Sequence, residues 1–216
     1  MIEIPVHNQE GKQVDTLQVE ESLLGGEIRH TLLKQAYVRI HANQRIGAAA
    51  NKSRGMTSFS TRKLYKQKGT GNARRGSAGT NVMRSGGVAF AKRPKSWRQA
   101  LPKKMRRLAN RNALLAKAID NEIKLVEGFG ADSVSTKGFK QLMNALNINR
   151  TCLVATENVN SPEAKSARNI EHVDVTLVDR LNVFDVLNHR FLLADKATFE
   201  AYLGRVSERL NGKESN

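Results

Sequence analysis

The chain has 216 residues, with 36 Lys or Arg against 20 Asp or Glu and a formal net charge of +16. This charge makes a polyanion the natural partner. The single Cys excludes an internal disulfide and favours a reducing compartment. No apolar run approaches the roughly 18 residues that a membrane span needs, and the N-terminus lacks the apolar core of a signal peptide. We therefore expect a soluble, unexported protein with no membrane partner.

The charge is distributed unevenly along the chain. No Asp or Glu occurs between Glu27 and Asp120, whereas residues 28–119 contain 23 Lys or Arg. The rest of the chain carries a net charge of −7. Because an ordinary solvated surface mixes both signs, the sequence predicts a mildly acidic globular part that carries a separate block of positive charge.

The first hundred residues contain regular patterns only near the N-terminus. Residues 2–6 and 13–19 predict two short strands. Apolar residues at helical spacing from Glu27 to about Asn43 predict a helix with a buried stripe. Residues 45–98 contain eight Gly, one Pro and only isolated apolar residues. A loop of 54 residues without regular structure indicates either a function or disorder in isolation.

Strands and helices alternate in the remainder. A helix starts at Pro102, where a first-turn proline is favoured, and its next residues, KKMRR, are cationic. The later elements are predicted as strands at 123–127, 151–156, 172–178 and 190–194 and as helices at 135–146, 161–169, 182–188 and 196–206. This order predicts an α/β fold with a mainly parallel sheet flanked by helices. We therefore predict a single globular domain of residues 1–44 and 99–216 and an extended basic internal loop of residues 45–98.

The stretch KQKGTGNARRGSAG at 66–79 contains four Lys or Arg and four Gly, which raises the alternative of a nucleotide-binding enzyme. A dinucleotide fingerprint is disfavoured because Arg74 occupies its third glycine position and because the stretch neither follows a strand nor opens a helix. A P-loop is disfavoured because Ser77 stands where its lysine belongs. The glycines therefore do not indicate a nucleotide site.

Patterns typical of catalysis or metal binding are missing. The five His are scattered, with no pair at the i, i+4 spacing of a metal site. Cys152 lies inside an apolar strand, where a structural thiol is expected, and no G-x-S-x-G motif occurs. We expect no catalytic residue, no metal and no cofactor.

The same loop is suited to nucleic-acid binding. Lys and Arg neutralise phosphates, Gly allows the backbone to approach closely, and aromatic rings stack on unpaired bases. The predicted RNA-binding cations are Arg45, Lys52, Arg54, Arg62, Lys63, Lys66, Lys68, Arg74, Arg75, Arg84, Lys92, Arg93, Lys95, Arg98, Lys103, Lys104, Arg106 and Arg107. The predicted loop glycines are Gly69, Gly71, Gly76, Gly86 and Gly87. Two alternatives stay open for the aromatic residues Phe59, Tyr65, Phe90 and Trp97: they stack on bases, or they anchor the loop by hydrophobic contacts. The cations after Pro102 either face RNA or form a solvated helix face.

The segments that carry a resemblance to a known family are residues 66–77, 84–90, 93–94 and 103–105. The chain resembles the bacterial form of the large-subunit ribosomal protein four family over nearly its whole length. The chain departs from the family pattern at Thr61, Tyr65, Asn72 and Lys92. The resemblance implies an α/β domain on the outside of the large subunit and a loop threaded through 23S ribosomal RNA. By this resemblance, the loop tip helps line the constriction of the nascent-peptide exit tunnel. The implied tip residues are Lys66, Gln67, Lys68, Gly69, Thr70, Gly71, Asn72 and Arg74.

The resemblance also implies a function. We expect a non-catalytic structural constituent of the large ribosomal subunit that supports assembly and is ribosome-bound in the cytoplasm. Its expected partners are 23S rRNA, neighbouring large-subunit ribosomal proteins and the nascent peptide, and no homo-oligomer is expected. The alternative is a free RNA- or DNA-binding regulatory protein. Without RNA, the loop is expected to be disordered, because it buries too little apolar surface to offset the entropy of ordering.

Overall fold

The computed structural model describes residues 1–129, 133–210 and 212. Its internal contacts divide the chain into two units. The first, here called the globular domain, comprises Met1–His41 and Ala100–Asn216, and the second, here called the basic segment, comprises Ala42–Gln99. That the globular domain folds without the basic segment stays a prediction.

The globular domain is built on a mainly parallel sheet, which has six strands among the described residues. The strands are β1 (Ile2–His7), β2 (Gln13–Val19), β3 (Ile123–Val126), β4 (Cys152–Thr156), β5 (Val173–Leu177) and β6 (Phe191–Asp195). Their spatial order is β2-β1-β3-β6-β4-β5. The β1–β2 hairpin is antiparallel, and the other neighbouring strands are parallel. The predicted α/β class with a mainly parallel sheet is confirmed.

Helices cover both faces of the sheet. They are α1 (His30–Gln44), α2 (Lys103–Ile119), α3 (Thr136–Ala145), α4 (Pro162–Ala167), α5 (Val183–Asn188) and α6 (Lys196–Leu210). Side chains alternate across each strand, so Ile123 and Leu125 of β3 pack with α1, α2, α5 and α6, while Val126 packs with α3 and α4 on the other face. Among the described residues, no helix is long and apolar enough to cross a membrane.

The element boundaries follow local backbone chemistry. α1 begins at His30 rather than at the predicted Glu27, because Gly25 and Gly26 adopt φ values of +101° and +70° and close a turn before it. β5 begins one residue later than predicted, because His172 lies in the left-handed region with φ +63°.

Side chains cap the starts of α3, α4, α5 and α6; at α6, Asp195 Oδ2 accepts a hydrogen bond from the Thr198 N–H at 3.3 Å. The side chains of Ser135, Ser161 and Asn182 accept hydrogen bonds from backbone N–H groups in the first turns of α3, α4 and α5. Each cap satisfies one of the N–H groups that a helix start leaves without an intrahelical partner. The predicted starts at 135, 161 and 182 are therefore cap positions, and each helix begins one residue later.

Cys152 provides a test of the packing around β4. Its side chain is fully buried, and burial raises the pKa of the Cys152 thiol to about 12, which leaves about one thiolate in ten thousand at pH 8. We predict that a disulfide reagent does not label Cys152 at pH 8 until the protein is unfolded in guanidinium. A second thiol introduced at an exposed position of α3, Lys140→Cys, should react in the native state. Equal labelling rates at the two positions would contradict the packing.

Candidate nucleic-acid interface

The two ends of the basic segment are joined by specific contacts. Asn43 Nδ2 donates a hydrogen bond to the Gln99 carbonyl oxygen at 3.3 Å, and the Gln99 N–H donates to Asn43 Oδ1 at 2.7 Å. The Trp97 ring contacts two cations, with the Arg45 guanidinium carbon 3.9 Å and the Lys95 ammonium nitrogen 4.4 Å from the ring centroid. Such cation–π contacts are attractive. The segment is therefore closed at its base.

Two limbs, residues 47–53 and 88–95, pair with each other beyond this base. Three backbone hydrogen bonds of 3.0 Å join them: Lys95 N to Gly47 O, Asn51 N to Lys92 O and Val88 N to Lys52 O. Directly next to the limbs, Gly87 and Arg54 approach so closely that a Cβ atom on Gly87 would lie 2.4 Å from the Arg54 backbone nitrogen. A larger residue at Gly87 would therefore separate the limbs.

The predicted tunnel tip is a small loop closed by hydrogen bonds. The Leu64 N–H donates to the Gly76 carbonyl oxygen at 3.0 Å, and the Tyr65 hydroxyl donates to the Ala73 carbonyl oxygen. Within this loop, Gly69 and Gly71 adopt φ values of +84° and +69° with open space around them. Only glycine adopts this backbone readily, so these two positions define the turn of the tip.

The remaining loop glycines have different environments. A Cβ on Gly86 would lie 1.8 Å from the Thr80 carbonyl oxygen, whereas a Cβ on Gly76 would meet nothing within 4 Å. Gly86 is therefore required by close backbone packing. Gly76 is not required by any contact within the described part of the segment.

All fourteen Lys and Arg side chains of the basic segment that were predicted to bind RNA are exposed. No carboxylate occurs in the segment, and none of the fourteen forms an ion pair with a described residue. The Lys63 ammonium group donates hydrogen bonds to Gln67 Oε1 at 2.8 Å and to the Arg75 carbonyl oxygen at 3.2 Å, which help to close the tip. The segment therefore presents a dense, unneutralised positive charge.

The four aromatic residues of the segment divide into two groups. Phe59 packs on Gly79, where a Cβ would lie 2.2 Å from the ring, and Tyr65 and Trp97 make the contacts described above. These three rings are half-buried and hold the segment together. Phe90 differs, because 96% of its surface is exposed. Phe90 is thus the ring best placed to stack on a base, which stays a prediction.

α2 carries the predicted cations of the globular domain on one of its faces. Ala109 and Ala113 are fully buried in the core, while Lys103, Lys104 and Arg107 are exposed and Arg106 is half-buried. Further along the helix, Lys117 turns inward, with its ammonium 2.5 Å from Glu122 Oε2 and 3.0 Å from the Arg190 carbonyl oxygen. Lys117 is therefore not part of the outward positive charge.

A groove of about 420 Å³ lies between α1 and α2. It is lined by Ala36, Arg39, Ile40, Lys103, Arg106, Arg107, Asn110 and Asn182. The sequence analysis did not include Arg39 among the candidate residues. The sequence spacing could have indicated Arg39, because it follows the buried Ala36 by three positions and so lies on the same side of α1.

These features are typical of a structural protein that binds a polyanion. Fourteen exposed cations without acidic partners form an extended segment, and a mixed α/β domain carries it. Among the described residues, no group of His, Cys, Asp or Glu side chains is arranged to hold a metal ion.

Comparison with known proteins identifies the family. The sequence model of the "Ribosomal protein L4/L1 family" matches residues 17–205. A "Large ribosomal subunit protein uL4" of Dehalococcoides mccartyi is 39% identical over 192 residues, which cover 89% of this chain and 91% of that protein. Proteins with the same name from Desulfatibacillum aliphaticivorans and Lachnospira eligens are 35% and 36% identical, over 95% and 93% of this chain and 100% and 97% of their own lengths.

The chain therefore belongs to the ribosomal protein L4/L1 family. The resemblance stated from the sequence is confirmed, and the chain is a structural ribosomal protein rather than an enzyme. Its place is on the ribosome in the cytoplasm.

Limited proteolysis tests the division between the two units. We predict that trypsin cuts the free protein first after the exposed Lys and Arg residues of 45–98, because few backbone hydrogen bonds hold this segment and proteases require local opening. A fragment set from the globular domain should persist, and mass spectrometry of a time course identifies the cuts. Cleavage at equal rates in α2 and in the basic segment would contradict the prediction.

Proposed function

We propose that the basic segment and the cationic face of α2 bind 23S rRNA and support assembly of the large ribosomal subunit. The observation that carries this proposal is the exposure of all fourteen cations of the segment without an acidic partner. Each cation placed against a phosphate releases a condensed counterion, which favours binding. The relatives named as large ribosomal subunit proteins support ribosomal RNA as the polyanion.

The shape of the segment favours insertion between RNA helices over docking on a flat surface. Its two limbs are joined by backbone hydrogen bonds, and most of its side chains are exposed. Glycines at the closest approach keep the limbs thin. A thin cationic element with an exposed Phe90 suits a narrow space lined by phosphates and unpaired bases.

The tip has a distinct role in this proposal. Residues 66–74 form a closed turn that carries Lys66, Lys68 and Arg74, all exposed. A turn fixed by its own hydrogen bonds keeps its shape where it borders an open channel. We infer that the tip helps line the exit tunnel and contacts the nascent peptide, and that the globular domain contacts neighbouring large-subunit proteins.

Replacement of the loop tests the RNA-binding role. When residues 52–95 are replaced by a short Gly/Ser linker, the globular domain should still unfold cooperatively, because loop length changes closure entropy little. The shortened protein should bind a 23S rRNA fragment much more weakly and should be removed from 50S subunits by a high-salt wash that retains the full chain. Equal retention of the two proteins would contradict the proposal, and full-chain protein found only in the unbound fraction would favour a free regulator.

Site-specific cross-linking tests the position of the tip. Ribosomes containing Thr70→Cys at the tip, in a Cys152→Ala background, should cross-link to a stalled nascent peptide that carries a thiol-reactive group. The matched control is Ser96→Cys, an exposed residue at the base of the same segment, which should not react with the peptide. Equal reaction at both positions, or reaction at the base alone, would contradict a tip in the tunnel.

A further inference from the structure

The groove between α1 and α2 has the chemistry of an anion site. We propose that it binds one phosphate group of the RNA backbone, held by Arg39 and Arg106 from the two helices. This inference rests on the proposed function, which it deepens by naming a phosphate-binding site in the globular domain. It adds Arg39, which lies outside the basic segment and outside the cationic start of α2.

Two unsatisfied donors point to a missing acceptor. The Nε atoms of Arg39 and Arg106 are both buried from solvent, and neither has a hydrogen-bond partner among the described residues. Buried N–H groups are normally paired, and a guanidinium group presents several N–H donors in one plane that fit two oxygens of a phosphate. A phosphate in the groove would bind the terminal N–H groups of both guanidinium groups, and it would reach the Nε–H groups only after a small shift of these side chains.

The charge of the groove has one sign. Arg39, Lys103, Arg106 and Arg107 line it, and none of them forms an ion pair with a described residue. No carboxylate is among the lining residues. Four cations around one space repel one another, so a bound anion relieves this repulsion as well as satisfying the donors.

The two Asn side chains of the groove each donate one hydrogen bond within the protein. Asn110 Nδ2 donates to the Leu181 carbonyl oxygen at 2.9 Å. Asn182 Nδ2 donates to Asp185 Oδ2 at 2.6 Å, and Asn182 Oδ1 accepts from the Asp185 N–H at 3.0 Å. These bonds fix one wall of the groove and hold the Asp185 carboxylate on Asn182.

The start of α2 adds to the attraction for an anion. The first N–H groups of a helix have no intrahelical partner, and at Pro102 no side chain caps them. The positive end of the helix dipole favours a negative group there. Lys103, the first residue of the helix, lines the groove from this end.

Paired charge variants test the site in the full-length protein. Arg39→Gln/Arg106→Gln removes two cations from the groove, and Lys34→Gln/Lys137→Gln removes two exposed cations of α1 and α3 that do not line it. We expect the groove variant to bind a 23S rRNA fragment at least about tenfold more weakly than wild type, because hydrogen bonds to charged groups are strong. The control variant should lose less than about threefold.

The outcomes separate this inference from the proposed function. If the wild-type protein does not bind the rRNA fragment in preference to an unrelated RNA, the proposed function fails. If it binds and the two double variants lose affinity equally, the phosphate site is overturned while the proposed function stands. Cooperative thermal unfolding of both variants shows that neither result reflects loss of the fold.

Spectroscopy of the unmodified protein gives an independent test. The Nε–Hε NMR signals of Arg39 and Arg106 should shift saturably when a 23S rRNA hairpin is added, and a weaker saturable shift is expected with inorganic phosphate. Shifts with inorganic phosphate but not with RNA would overturn an RNA phosphate as the ligand. Uniform small shifts of all arginine signals in both titrations would overturn the site altogether.

Discussion

The unopposed positive charge between Glu27 and Asp120 is the constraint on which the rest of the structure depends. Two like charges 7 Å apart in water repel by about 0.6 kcal/mol, and the basic segment holds fourteen cations and no acid. The segment therefore has no electrostatic reason to collapse on itself. Its few aromatic contacts and backbone hydrogen bonds hold a thin loop. In the proposed function, ribosomal RNA supplies the missing opposite charge.

The globular domain is held together by a core of its own. Its sheet buries apolar side chains on both faces, and acidic residues are confined to the parts of the chain outside 28–119. α2 contributes to the core and to the positive surface. Ala109 and Ala113 pack in the core, while the first turns carry Lys103, Lys104 and Arg107 on the surface. A single helix thus connects the stability of the fold to the proposed RNA contact.

Much of the fold could be predicted from the sequence, because it depends on local patterns, and the exposure of the cations in the basic segment follows from the lack of apolar residues around them. That these cations bind RNA stays a prediction. Strands and helices followed apolar periodicity, with starts moved by features such as the positive φ of His172 and the cap at Asn182. The strand order and the groove could not be predicted, because they depend on which elements become neighbours. Arg39 joins Arg106 only after α1 packs beside α2. The inward turn of Lys117 likewise depends on Glu122 and Arg190.

The salt dependence of RNA binding tests the central claim most directly. With about ten cations engaged, a plot of log K against log salt concentration for a 23S rRNA fragment should have a slope of about −7 to −9, since each phosphate contact contributes about 0.7 to 0.9. The account predicts this steep slope for the full chain. A slope near zero, with tight binding retained at high salt, would show that the unopposed charge does not hold the protein on RNA.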